Sequence, residues 1–187
     1  MFDPNNPFPI KHEWDLEKEK EHAAHVDAWL GFNESTMASI ESSNSNEPSR
    51  EFWFGKPVQV FSTPYTALRT ILDDLNPGFR ETVIDLGAGY GRMAHVMARH
   101  FPEANFLGYE IVRARQEEAR RVIDLHRLPR ARIECADIAG PEFFARISEI
   151  EVPLFFMYDF GSRRDVENCV ENLRLFSAQK PIVVAAR

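Results

Sequence analysis

The run Asp85-Leu86-Gly87-Ala88-Gly89-Tyr90-Gly91 follows the apolar pair Val83-Ile84 and precedes an apolar-periodic stretch. That is the pattern of a strand turning sharply into a helix. Glycine admits positive φ and lets main chain approach a ligand more closely than any Cβ would allow. Three glycines at alternate positions therefore point to contact with a bound nucleoside rather than to a plain turn. Spacing narrows the ligand. A dinucleotide loop requires G-x-G-x-x-G, with its helix N-terminus aimed at a diphosphate, whereas this loop is G-x-G-x-G behind a carboxylate. The acid favours a cationic ligand over an anionic one.

Asp85, Gly87, Ala88, Gly89 and Gly91 resemble motif I, (D/E)-x-G-x-G-x-G, of the class I methyltransferases dependent on S-adenosylmethionine (SAM). The resemblance implies SAM as cofactor and two further landmarks. An acid ending the second strand would hold the ribose hydroxyls, and Glu110, in Phe106-Leu107-Gly108-Tyr109-Glu110, stands nineteen residues after Gly91. An Asp just past the third strand would face the adenine amine, and Ile133-Glu134-Cys135-Ala136-Asp137-Ile138 offers Asp137, with Ile111 or Ile138 against the ring. Asp85 would lie near the methionine ammonium. Relatives place a loop over the methionine end where Val60 to Tyr65 falls here, which adds Thr63 and Tyr65 as cofactor candidates.

After the fourth strand, many amino-methylating relatives carry Asn/Asp-Pro-Pro-Tyr, and this chain has Tyr158-Asp159-Phe160-Gly161-Ser162. The departure argues against nucleobase-N6 and glutamine acceptors. A lysine acceptor must lose its proton first, because an ammonium has no lone pair and titrates near ~10.4. Asp159 or Tyr158 is placed to receive or relay that proton, with Phe160, Tyr65 or Trp53 walling the pocket. The segment is loosely similar to the seven-strand lysine methyltransferases. A protein lysine and a small molecule both stand as acceptors. The alternative from another class is a non-catalytic SAM-fold interaction module. A nicotinamide dehydrogenase lacks its glycine spacing here.

The elements that must position these residues alternate. Strands are expected at Thr82 to Leu86, Asn105 to Tyr109, Arg132 to Cys135, Leu154 to Tyr158 and Ile182 to Ala185. Helices are expected at Arg92 to His100, Arg113 to Leu125, Glu142 to Ile150 and Asp165 to Phe176. Strands separated by helices argue an α/β, doubly wound, mainly parallel sheet, in strand order 3-2-1-4-5, with its cleft above the carboxyl ends of strands 1 and 4. The family's C-terminal hairpin is absent or truncated here, which leaves strand 5 as an exposed apolar edge and a route to self-association. Thr63 is expected to cap a helix from Tyr65 to Leu75, with Pro64 in its first turn. Upstream, residues 1–50 read as an N-terminal extension and residues 51–187 as the SAM-binding domain. The extension holds an acidic helix from Glu13 to Leu30, with an apolar stripe led by Ala24, Trp29 and Leu30. A polar linker follows from Ser42 to Ser49.

Charge and composition exclude several classes. The net charge of −7 sits in one part of the chain: residues 1–75 carry 6 Lys+Arg against 13 Asp+Glu, and residues 76–187 carry 16 of each. A nucleic-acid reader needs a basic excess, so nucleic acid is not the expected partner. Arg113, Arg115, Arg120 and Arg121 interleave with Glu117 and Glu118, as spaced ion pairs do. His22 and His25 lie three apart on one helix without a third ligand nearby, and read as a solvated face. Cys135 and Cys169, 34 positions apart, suggest buried reduced thiols and no metal site. The start, with Asp3, Pro4, Pro7 and Pro9, lacks a basic and apolar leader, and no apolar run has the ~20 residues that span a bilayer, so a cytoplasmic protein is expected.

Overall fold

The structure, a computed structural model, describes residues 2–10, 15–43, 56–78, 81–140, 142–150, 153–158 and 161–186. Trp14, Trp53, Asp159, Phe160 and the expected linker from residue 44 onward lie outside the described residues. The elements run α1 (Leu16–Leu30), α2 (Glu34–Ser43), α3 (Val58–Phe61), α4 (Tyr65–Leu75), β1 (Thr82–Leu86), α5 (Arg92–His100) and β2 (Asn105–Glu110). They continue with α6 (Arg113–Leu125), β3 (Ala131–Cys135), α7 (Phe143–Arg146), β4 (Pro153–Met157), α8 (Arg163–Ser177) and β5 (Val183–Ala186).

All five strands pair in parallel in the order β3-β2-β1-β4-β5, as the alternation of strands and helices requires. Successive residues of a strand point to opposite faces, and two of the three inner strands, β1 and β4, divide their apolar residues accordingly. Val83, Leu154 and Phe156 join a core formed with α4, α5 and α6, while Ile84, Leu86, Phe155 and Met157 join one formed with α7 and α8. β5 is one of the two outer strands, with Val183 45% and Val184 41% exposed. Among the described residues, no helix is long and apolar enough to cross a membrane.

Four local expectations need correction. Helix α4 is capped by Pro64 without a side-chain bond, and Thr63, one residue earlier, is buried and makes no cap. Helix α7 stops at Arg146: the Ser148 hydroxyl bonds the Ala145 carbonyl, a local alternative to helix continuation, and Lys180 Nζ takes the Ser148 and Ile150 carbonyls. Helix α2 covers Ser42 and Ser43, the start of the expected linker, and its entry is marked by Asn33 Oδ1 accepting from the Thr36 amide at 3.0 Å. In α1, Ala24 and Trp29 are exposed, and the inward face is Glu19, His22, Ala23, Val26, Asp27 and Leu30. Acids on an inward helix face require partners within the protein, and these have them.

Those partners join the N-terminal helices to the sheet. Ala23, Val26, Leu30, Phe32 and Met37 belong to the same core as Val83 and Val96. Asp27 accepts from Tyr65 Oη at 2.7 Å, from Gln59 Nε2 at 2.8 Å and from Arg92 Nε at 3.1 Å, and Arg92 Nη2 lies 2.5 Å from its second oxygen. Glu41 accepts from Tyr90 Oη at 2.6 Å and from Arg115 at 2.9 Å (Nε) and 2.6 Å (Nη2). Removing one partner of a buried pair leaves the other charge uncompensated, at about 3–5 kcal/mol, whereas an exposed pair contributes about 0–1 kcal/mol. The side chains of Arg92 and Asp27 are 4% and 5% exposed, and that of Arg163, paired with Glu167, is 92% exposed. Asp27→Ala should therefore cost about 3–5 kcal/mol in denaturant unfolding and Arg163→Ala less than about 1 kcal/mol. Equal costs would show that the Asp27 pair does not fasten α1.

Candidate functional site

The register puts Asp85 beside Gly108 and Leu86 beside Tyr109, so the bend after β1 rises at the carboxyl end of β2. Two bonds fasten it there: the Gly87 and Ala88 amides donate to the Tyr109 carbonyl at 3.0 and 2.8 Å. The approach depends on Gly108, where a Cβ would stand 2.8 Å from that of Ala88. Two of the three loop glycines then separate in role. Gly89 has φ +55 and open space where a Cβ would be, the condition for a ligand against bare main chain. At Gly91, φ is +70 and a Cβ would meet Ala119 at 3.3 Å, so this glycine lets the start of α5 pack on α6.

A cavity of about 110 Å³ opens above this bend. Its wall brings together Asp85, Gly87, Ala88, Gly89, Glu110, Ile111, Asp137, Ile138, Thr63 and Tyr158, from the ends of four strands and the turn before α4. Two of the expected residues are not on that wall. Gly91 serves the packing just described. Tyr65 is fully buried beneath it, because its hydroxyl is donated to Asp27 and its ring stacks on Phe8 at 5.4 Å. Asp159 lies outside the described residues.

Glu110 is held rigidly. Its Oε2 accepts from the Gly89 amide and its Oε1 from the Val112 amide, both at 2.8 Å. Each ionised carboxylate oxygen retains a further acceptor direction, so the group can still bind a pair of hydroxyls. Burial pushes its pKa up, opposed by the charge of Arg115 and by the two amides. Asp85 is buried, and among the described residues no cation pairs with it. Burial, and then the neighbouring Glu110, raise its pKa to about 8. An acid held neutral by burial returns to its charged form when a cation arrives beside it.

Arg92 and Arg115 also reach the wall, but Asp27 and Glu41 neutralise them from behind. The Arg115 guanidinium lies 4.7 Å from the Phe61 ring centroid, and Arg92 Nη1 donates to the Thr63 carbonyl at 3.3 Å. Reading the α6 arginines as spaced surface pairs holds for Arg121 with Glu118 and Arg120 with Asp124. It fails for Arg115, which faces inward because its first-turn position points at the loop. His22 is likewise buried, 6.2 Å from the Phe2 ring, and not on a solvated face. The sequence reading missed Asp27, Glu41, Phe61 and Gly108. Only Gly108, a glycine inside a strand, carried a local signal of close backbone approach.

No family model matches this sequence, and no curated protein matches it. Among solved structures, it is similar to a precorrin-6y C5,15-methyltransferase from Geobacter metallireducens, at 13% identity over 66% of this chain and 64% of that one, with a TM-score of 0.51. TrmN from Thermus thermophilus is similar at 21% identity over 65% of this chain and 37% of that one, with a TM-score of 0.49. A SAM-dependent methyltransferase from Thiobacillus denitrificans, in complex with S-adenosyl-L-homocysteine, is similar at 16% identity over 79% and 54%, with a TM-score of 0.47. The chain spans only 20% of EvdMO1 and 21% of PKMT2 from Rickettsia typhi, two further matches. The fold is Rossmann-like. At these identities the likeness concerns the fold, and the chemistry must be argued from the site.

The Asp85 carboxyl supplies a test of ligand charge. Below about pH 8 the empty site holds it largely protonated, and a cationic ligand lowers its pKa. Affinity should therefore rise as pH approaches 8 and level off above it, with up to one proton released per ligand near neutrality. Calorimetric titration with a nucleoside bearing an ammonium or sulfonium, from pH 6 to 9 and in buffers of different ionisation enthalpy, should show both effects. Asp85→Asn should abolish them. PH-independent binding by the unaltered chain would contradict a cation beside Asp85.

Proposed function

We propose that this chain is a SAM-dependent methyltransferase acting on a nucleophilic acceptor, with an amine nitrogen, such as a protein lysine, as the leading class. The observation that carries the reading is Glu110: a buried carboxylate at the end of β2, fixed by the Gly89 and Val112 amides with acceptor directions to spare. A ribose diol matches that geometry. The remaining wall suits the rest of the nucleoside. Ile111 and Ile138 offer apolar faces for an adenine, and Asp137 lines the same side. Asp85 suits the ammonium of the methionine portion, and Thr63 lines the same cavity.

SAM, when bound, supplies a methyl group on a positively charged sulfur, and transfer leaves a neutral thioether. The chain's contribution is alignment of the acceptor with that methyl and exclusion of water. Phe61, Leu68, Met93 and Phe156 line the cavity and give it a dry apolar section. An amine entering such a section is more easily deprotonated, because burial disfavours its charged form. Tyr158 lies on the wall at the end of β4, and in this reading it relays the proton to Asp159, its neighbour in sequence. The wall acids Asp85, Glu110, Asp137 and Asp165 face two arginines already matched by Asp27 and Glu41. That balance favours a cationic or neutral acceptor over a phosphate or carboxylate.

The test is incubation of the chain and a Gly89→Arg variant with methyl-labelled SAM and a cell lysate. Arginine at position 89 would fill the open space over the bend. The expected result is label on lysine in a protein band, absent with the variant. Label only in the small-molecule fraction would replace lysine by a small acceptor. A chain that binds neither SAM nor its demethylated product would overturn the reading.

A further inference from the structure

Arg92 opens α5 immediately after the glycine bend, and its guanidinium divides between two tasks. Nε and Nη2 take the two oxygens of Asp27, and Nη2 also donates to Gln59 Oε1 at 2.7 Å. Nη1 donates instead to two main-chain carbonyls, those of Ser62 at 3.4 Å and Thr63 at 3.3 Å. Ser62 and Thr63 form the turn between α3 and α4, and both line the cavity. Gln59 donates its amide to Asp27 at 2.8 Å and Tyr65 its hydroxyl at 2.7 Å, so residues on either side of the turn are tied to the same acid. In this cluster it is Arg92 that reaches the turn's own main chain.

The place of the turn follows from the sheet order. Asp137 follows β3, Glu110 ends β2 and Asp85 lies in β1, so a nucleoside seated as proposed above runs from β3 toward β1. Its methionine portion then lies nearest β4. Leu68 of α4 and Phe156 of β4 line the cavity together, and the turn that leads into α4 walls that same side.

We propose that Arg92 is a positioning residue for the cofactor: by pinning the Ser62 and Thr63 carbonyls it holds the α3–α4 turn against the methionine portion. The proposal rests on the nucleoside placement given above. A turn held in its bound position before the ligand arrives spares the cost of ordering it, which otherwise subtracts from affinity. A guanidinium suits the task because its five donors lie in one rigid plane, so one edge grips a carboxylate while the remaining nitrogen reaches elsewhere. Lysine carries a single nitrogen, which can neutralise Asp27 without also holding both carbonyls. The charge and the pin are thereby separable.

The readout is the ratio of affinities for S-adenosylhomocysteine and 5′-methylthioadenosine, which share the nucleoside thioether and differ in the amino-acid end, measured by calorimetry on the full chain. The unaltered chain should favour S-adenosylhomocysteine by about tenfold or more, as a hydrogen bond to a charged group implies. Arg92→Lys should lower that ratio about fivefold, the equivalent of one neutral hydrogen bond lost. The same loss should appear with the decarboxylated analogue of S-adenosylhomocysteine, which keeps the ammonium. A loss confined to the carboxylate-bearing ligand would mean that Arg92 touches the ligand itself, and would overturn the positioning role. General loosening of the fold would weaken all three ligands alike and leave the ratio unmoved. Where Arg92→Lys does not fold, Gln59→Met, which removes the Oε1 that helps aim the guanidinium and leaves no charge unpaired, is read on the same ratio and should lower it. A ratio unchanged in the folded variant overturns the proposal alone. A ratio near one in the unaltered chain overturns the placement of the methionine portion, and the proposal with it.

Discussion

The main chain between β1 and α5 is tied to the end of β2 by three amides: Gly87 and Ala88 on the Tyr109 carbonyl, and Gly89 on the Glu110 carboxylate. This attachment fixes the floor of the cavity and the orientation of its most constrained acid together. It requires Gly108, because any side chain there would collide with Ala88 and lift the bend from the strand. It also requires that Glu110 remain an acceptor in a place that raises its pKa by burial. Each requirement costs stability in isolation: a glycine within a strand packs nothing, and a buried carboxyl loses hydration. Both become intelligible once the bend is the place where a nucleoside meets the protein.

A second layer stands behind that floor. Asp27 from α1 and Glu41 from α2 neutralise Arg92 and Arg115, and the phenols of Tyr65 and Tyr90 complete the two clusters. Buried pairs of this kind are weak sources of net stability, since desolvation offsets most of the attraction, although breaking one is expensive. Their effect lies in geometry. They bind the N-terminal helices to the wall and leave the wall's own arginines spoken for, so the side chains that meet a ligand's charge are mainly acids, Asp85, Glu110 and Asp137. An acidic surplus in residues 1–75, legible as charge count, proves in part to be three carboxylates placed inside, those of Glu19, Asp27 and Glu41.

What could be read from the sequence was what repeats locally. Apolar runs of strand length between helical patterns sufficed for the sheet order, and the family resemblance pointed to the glycine bend, Glu110 and Asp137, which lie at strand ends on one cavity wall. Long-range polar pairing left no such trace. Nothing around Asp27 or Glu41 distinguishes an inward acid from a solvated one, because the distinction lies with partners Arg92 and Arg115, 65 and 74 residues away. Tyr65 illustrates the converse. Its neighbourhood in sequence suggested the cavity, and its hydroxyl belongs to the Asp27 cluster beneath the wall.

The central claim is that bare main chain at this bend, with Glu110 beside it, forms the seat of a nucleoside. An amide-resolved nuclear magnetic resonance titration with S-adenosylhomocysteine tests it most directly. The account predicts the largest shifts at the amides of Gly89, Glu110, Ile111 and Asp137, saturating together, with the amides of β5 unmoved. Shifts that are absent, or that gather away from the β1–α5 bend, would contradict it.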